Sequence, residues 1–129
     1  MKGVITISNH VILTNAFSLS MLPKDYGSHQ ILVEPISLMR ATQILTDGNF
    51  VSAIGHEDTA KLLTVILGIE VNTNRVSIVL DHDTELIVAQ YSGSRLPDGA
   101  EIRFFNISLP RHYSGFGIDS NRTYEESCV

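Results

Sequence analysis

One histidine, His56, stands immediately before a predicted helix, in the run Val-Ser-Ala-Ile-Gly-His-Glu-Asp-Thr-Ala over residues 51–60. Backbone N–H groups at a helix start have no intrahelical partner and are partly positive, so this turn can hold a phosphate group beside a proton donor. The combination favours phosphodiester chemistry with His56 as the donor. The alternative interpretation is a loop followed by an acidic first turn, at Glu57 and Asp58, that suits the positive end of a buried helix.

Two helices are predicted to position this turn. The first covers residues 37–45, follows a short strand at residues 30–35, and ends at the Asp-Gly pair 47–48. The second covers residues 57–67, with apolar side chains on one face and Gly68 suited to its C-cap.

Runs of β-branched residues predict the strands. Residues 4–14 are expected to form strand, with a hairpin broken near residues 8–10, and a short helix or turn follows at 15–22. The polar segment 81–85 is expected to be the turn of a hairpin. The remaining strands are predicted at residues 74–80, 86–91 and 101–109.

These elements predict an α/β or α+β fold with a mixed β-sheet of about five strands flanked by helices. A chain of 129 residues is long enough for one domain, which we place at residues 1–109. Residues 110–129 have no periodic apolar pattern and are expected to form a flexible C-terminal tail.

Composition excludes several classes of protein. The net charge of −5 argues against binding long DNA or RNA, because such binding depends on many Lys and Arg contacts to phosphates. The single cysteine, Cys128, permits no intramolecular disulfide and makes a catalytic thiol a poor hypothesis. With no apolar stretch of membrane-spanning length and no secretory signal, we expect a cytoplasmic protein without membrane contact.

Three separated segments resemble one family in order and approximate spacing. They are Leu-Thr-Asn-Ala-Phe-Ser-Leu-Ser-Met-Leu at residues 13–22, Ile-Gly-His at 54–56, and Asn-Arg-Val at 74–76 with Gln90 and Arg-Leu-Pro-Asp-Gly at 95–99. Through these segments the chain resembles the viral type III anti-CRISPR ring nucleases, and the resemblance covers roughly residues 10–108. That family was first known as uncharacterised proteins of archaeal viruses and also occurs in bacterial phages and mobile elements.

The resemblance implies an enzyme that degrades cyclic tetra-adenylate (cA4), the second messenger of type III CRISPR systems, in the host cytoplasm if the source is a virus. It implies that a ribose 2′-hydroxyl attacks the neighbouring phosphate, that no metal or other cofactor is needed, and that His56 is the general acid. Asp98 stands where the family usually has a glutamate, one methylene longer, which orients the histidine or the ribose hydroxyl. The substrate-binding residues that the resemblance implies are Asn15, Ser18, Thr59, Arg75, Gln90 and Arg95.

Each of these residues also has an ordinary structural interpretation. Arg75 and Arg95 could form surface ion pairs, Asn15 and Ser18 could cap a short helix, and Gln90 could lie on the solvent face of a strand. The other histidines are scattered singly, so no metal site is expected.

The substrate is a ring of four identical nucleotides, so we expect a homodimer. Its two-fold axis would place one His56 at each of two opposite linkages. Two alternatives to the ring nuclease remain open. One is a protein that sequesters the cyclic nucleotide without cutting it, and the other is a regulator that binds a host protein.

Overall fold

The computed structural model describes residues 4–5, 10–25, 27–93 and 100–111 of the chain. Within this part, short strands and two α-helices are joined by loops and by one 3₁₀ turn at Leu19–Met21. In chain order the elements are β1 (Val4–Ile5), β2 (Val11–Thr14), β3 (Leu32–Ile36), α1 (Leu38–Gly48), β4 (Val51–Ser52), α2 (Glu57–Leu67), β5 (Ser77–Ile78), β6 (Glu85–Gly93) and β7 (Ala100–Ser108).

Five of the strands form one mixed sheet in the order β3-β7-β6-β2-β4. The short strand β2 lies between β4 and β6 and is parallel to both. Strand β7 is antiparallel to β6 on one side and to β3 on the other. The mixed five-stranded sheet with two helices confirms the predicted fold class, and it brings the carboxyl ends of β2, β4 and β6 to the same edge.

The core has one cluster of apolar side chains on each face of the sheet. Alternate residues point to opposite faces of a strand, so Leu13 and Ile87 pack towards α1 and α2 while Ile12 and Leu86 pack on the other face. The cluster on the helix side includes Ala41, Leu45, Ala60, Leu63 and Phe104. The cluster on the other face is closed by Phe17, Met21, Ile31, Ile78 and Leu80.

Both helices begin and end with local signals. The Ser37 hydroxyl accepts a hydrogen bond from Arg40 N at 3.0 Å and caps α1. This helix continues to Gly48, beyond the predicted end at residue 45, and ends at Asn49 in the left-handed conformation. Helix α2 has the predicted bounds and ends at Gly68 with φ 72°, a backbone conformation that glycine adopts without steric cost.

The predicted hairpin of residues 74–80 with 86–91 is wrong. Strand β5 is only two residues long and pairs in parallel with β1 in a separate small sheet, while β6 pairs with β2 and β7. The turn itself exists, because the Asp81 carboxylate accepts hydrogen bonds from Asp83 N at 2.9 Å and Thr84 Oγ1 at 2.8 Å. The predicted hairpin within residues 4–14 is also wrong, because β1 and β2 belong to different sheets.

The predicted tail at 110–129 lies outside the described residues except for its first two positions. Next to it, Leu109 is 2% exposed and its carbonyl accepts a hydrogen bond from His82 Nδ1 at 2.8 Å. Arg111 forms an exposed ion pair with Asp83 at 3.2 Å. In the described part of the chain, no helix is long and apolar enough to span a membrane.

Candidate site at the carboxyl edge of the parallel strands

The candidate site lies where β2, β4 and β6 end. Open sheets of parallel strands bind ligands beyond the carboxyl ends of the strands, because the loops that leave this edge converge there. Two of these loops carry predicted site residues, since Asn15 follows β2 and His56 follows β4, and Gln90 lies within β6 near its carboxyl end.

His56 is the N-cap residue of α2. Its backbone is extended, with φ −118° and ψ 134°, and its carbonyl accepts the first helical hydrogen bond, from Ala60 N at 3.0 Å. The imidazole is exposed and makes no capping hydrogen bond to the helix. The side chain is therefore available to a ligand at the start of α2, next to the N–H groups of the first turn.

A group of polar side chains holds the segment before His56 in place. The Ser52 hydroxyl donates to Asn72 O at 2.6 Å and accepts from Ile54 N at 3.2 Å. Asn74 contacts the same segment twice, since its side-chain Nδ2 donates to Ser52 O at 2.7 Å and its backbone N donates to Ile54 O at 2.7 Å. The loop at 72–75 thus fixes the path of residues 52–55, together with the parallel bridge between Ile54 and Thr73.

Arg75 joins the same arrangement from the neighbouring loop. Its Nε donates to the carbonyl of Gly55 at 3.1 Å, one residue before His56. A side chain at position 55 would crowd the Arg75 Cγ, at 3.2 Å from an added Cβ, so the small residue permits the close approach. Arg75 is exposed, and the ion pairs found among the described residues do not include it. The structure therefore shows a hydrogen bond to the backbone instead of the surface ion pair considered from sequence.

Asn15 and Thr59 share one cleft, of about 360 Å³, on the helix side of this edge. Asp58 and Tyr91 also line it, and its floor is apolar. The remaining lining residues are Leu62, Leu63, Ala89 and Ile102. The structure thus brings together two predicted substrate-binding residues that are 44 positions apart in sequence.

Ser18 has the capping role that the sequence left open. Its hydroxyl accepts a hydrogen bond from Ser20 N at 3.2 Å and lies 2.9 Å from the Ser20 hydroxyl, so it caps the 3₁₀ turn. It does not line the cleft of Asn15, whereas Ser20 lines a second cavity, of about 390 Å³, together with Thr14, Lys24 and residues 76–79. The second cavity adds concave surface to the same edge.

Gln90 is exposed and lies on the sheet face remote from the helices, because its neighbour Ala89 packs into the helix-side cluster. Its Nε2 donates to the carbonyl of Tyr91 at 3.3 Å. The cross-strand partner of Gln90 is Arg103, which the sequence analysis did not select.

The predicted residues Arg95 and Asp98 lie in the segment 94–99, outside the described residues. Among the residues that are described, no group of three or more His, Cys, Asp or Glu side chains could hold a metal ion.

Sequence reasoning missed two residues that the fold assigns to this edge. Asn74 belongs to the Asn-Arg-Val motif, so a signal was present, but its positioning role became visible only from its contacts with Ser52 and Ile54. Arg103 lies in a strand pattern with no local signal, and only the register of β6 and β7 places it opposite Gln90.

Known proteins are similar to this chain over the segments that form the candidate site. The model of the STIV B116-like family matches residues 11–104. Uncharacterized protein 26 of Sulfolobus islandicus filamentous virus (isolate Iceland/Hveragerdi) is 34% identical over 92 residues, which are 70% of this chain and 75% of that protein. Among solved structures, B116 of Sulfolobus turreted icosahedral virus is similar in fold, with a TM-score of 0.63 and 24% identity over 77% of this chain and 98% of that one.

Proposed function

Because the chain belongs to the STIV B116-like family, which has members in archaeal viruses, we propose that it is a metal-independent ring nuclease that cleaves cA4. Loss of this messenger would silence type III CRISPR signalling. The observation that carries the proposal is the hydrogen bond of Arg75 to Gly55 O, at 3.1 Å, which sets a guanidinium beside the exposed His56.

The placement of the motifs supports the same activity. The resemblance to ring nucleases rests on segments that are distant in sequence. Segments 13–22 and 54–56 lie at or beyond the carboxyl ends of β2 and β4, and segment 74–76 lies against the segment that leaves β4. The contacts of Asn74 with Ser52 and Ile54 tie the second and third of these segments together directly.

The reaction needs no external water. The ribose 2′-oxygen bonds to the adjacent phosphorus, the bond from phosphorus to the 5′-oxygen breaks, and a 2′,3′-cyclic phosphate and a 5′-hydroxyl result. Net, one proton leaves the 2′-hydroxyl and one reaches the 5′-oxygen. Protonated His56 donates the proton that reaches the 5′-oxygen. A positioned general acid of this kind contributes roughly 10²–10⁴-fold to the rate.

Arg75 supplies positive charge at the site, against the acidic composition of the chain and the acidic residues Glu57 and Asp58 in the first turn of α2. Arg75 has an exposed guanidinium that is always charged and suits a phosphate. Glu57, in the first turn of α2, is partly neutralised by Lys61, 3.4 Å away. The unpaired N–H groups of that turn add partial positive charge.

A homodimer completes the proposal. A ring of four identical nucleotides has two-fold symmetry, so two copies of the chain can present one His56 each to opposite linkages. The expected products are two linear dinucleotides, each with a 2′,3′-cyclic phosphate.

The test incubates purified protein with cA4 in EDTA and follows products by chromatography and mass spectrometry. We expect the wild type to cleave and His56→Ala to lose roughly 10²–10⁴-fold in rate. His10→Ala is the matched control, because His10 is exposed at the amino end of β2, the opposite edge of the sheet, and it should cleave like the wild type.

The other outcomes select between the two alternatives. Tight binding of cA4 without product would show sequestration in place of catalysis. Absence of both binding and cleavage would refute a nucleotide function and favour a protein-binding regulator. Equal cleavage by wild type and His56→Ala would refute the role of His56.

A further inference from the structure

A second feature of the carboxyl edge lies on the sheet face remote from the helices. In the register of β6 with β7, Gln90 is directly opposite Arg103. The preceding pairs on this face, Val88 with Phe105 and Leu86 with Ile107, belong to or pack against the apolar cluster. The buried cluster does not extend to the next pair along the strands, because the side chains of Gln90 and Arg103 are both exposed.

The Arg103 guanidinium lies over an aromatic ring. Its guanidinium carbon lies 5.0 Å from the centroid of the Phe105 ring, within the range of a cation–π contact. None of the ion pairs among the described residues involves Arg103. Arg103 therefore contacts Phe105 and remains exposed to solvent, and among the described residues no carboxylate forms an ion pair with it.

Gln90 is oriented by its own strand. The hydrogen bond from its Nε2 to Tyr91 O, at 3.3 Å, uses one of the two donor hydrogens of the amide. The amide oxygen accepts from no described residue, so it can accept from a ligand directly beside Arg103. A planar cation beside an amide acceptor matches the two ways in which proteins bind an unstacked adenine, by stacking on an arginine plane and by hydrogen bonds to the base edge.

We propose that Gln90 and Arg103 form a binding site for one adenine base of the cyclic oligonucleotide, an inference that rests on the proposed function. The base stacks on the outward face of the Arg103 guanidinium, opposite Phe105. Its N6 amino group donates to Gln90 Oε1. The two residues thus contribute affinity and base selectivity, while the phosphate at the scissile linkage stays with His56 and Arg75.

The first experiment measures KM and kcat for cA4 with Arg103→Ala and Arg103→Lys. Loss of a stacked base weakens binding roughly 5- to 100-fold, so we expect Arg103→Ala to raise KM by this factor and to leave kcat unchanged. Arg103→Lys keeps the charge but removes the plane, and should bind almost as weakly as the alanine variant. Arg40→Ala is the matched control, because Arg40 is an exposed arginine of α1 that bonds to Gln43.

The second experiment compares cA4 with a ring in which hypoxanthine replaces adenine, which removes the N6 donor. The wild type should prefer the adenine ring by up to about tenfold, and Gln90→Ala should lose the preference. Thermal unfolding of each variant checks that the fold is intact.

The outcomes separate this inference from the function on which it rests. A wild type that neither binds nor cleaves cA4 overturns both. A wild type that cleaves, with Arg103→Ala equal to Arg40→Ala in KM, overturns the adenine site alone. A KM for cA4 equal to that of the wild type in Arg103→Lys also overturns the adenine site, because a positive charge without a planar group would then suffice for binding.

Discussion

The side chain of Asn74 is predicted to control both the stability of the protein and the position of His56. Its Nδ2 donates to the carbonyl of Ser52 at 2.7 Å, and Ser52 is 8% exposed. Asn74→Ala removes this bond but keeps the backbone bond to Ile54 O. The net value of one such bond is about 0.5–1.5 kcal/mol, and a carbonyl left partly unsatisfied raises the loss, so we expect a destabilisation of about 1–2 kcal/mol.

Asn74→Asp should destabilise more, by about 2–3 kcal/mol, because it sets a carboxylate against a carbonyl. The expected effect of Asn74→Ala on catalysis is a fall in kcat of up to roughly 10²-fold, since His56 follows the held segment and a displacement of about 1 Å has that cost. Binding of cA4 should change less, because the variant leaves Arg75 and the cleft residues in place.

Urea unfolding and steady-state cleavage of cA4 measure the two effects. Asn72→Ala is the matched control: the residue is two positions away and exposed, and only its backbone carbonyl contacts Ser52. If Asn74→Ala equals Asn72→Ala in both unfolding free energy and kcat, the positioning role of Asn74 is refuted.

Three further predictions concern other parts of the molecule. Gly48→Ala should destabilise by about 1–3 kcal/mol in thermal unfolding, because an added Cβ collides with the stiff side chain of Val11, whereas Gly27→Ala, with open space around it, should not. Ser37→Ala should lower the unfolding free energy by about 1 kcal/mol through loss of the α1 cap, measured with urea, and an unchanged value would contradict the capping role. Arg75→Ala should raise the KM for cA4 roughly 10- to 100-fold with little change in melting temperature; equal KM values would exclude a phosphate contact.

Helix α2 shows which parts of the fold were predictable from sequence. Its apolar spacing and its terminal glycine are properties of neighbouring residues, so its bounds were correct. Helix α1 ran three residues further than predicted, because the chain passes through Asp-Gly and stops only where Asn49 takes the left-handed conformation.

The partners of the strands were less predictable. Residues 74–80 have a strand composition, but β5 within them pairs with β1, far away in sequence. Strand β4, only two residues long, has too short a pattern to be recognised and is specified by its pairing with β2. The composition of a segment indicates that it suits a pleated surface, but it does not indicate which strand will pair with it.

For the candidate site, the sequence by itself determined that His56 stands at a helix start and left Ser18 open as a cap of a short helix, because these settings depend on residues within one turn of the chain. The tertiary structure decided what lies beside them. Arg75 reaches Gly55, Asn15 shares a cleft with Thr59, and Gln90 faces Arg103 only because the sheet aligns distant strands at one edge. Such contacts depend on register and chain crossing, which arise from the packing of the whole core and not from local sequence.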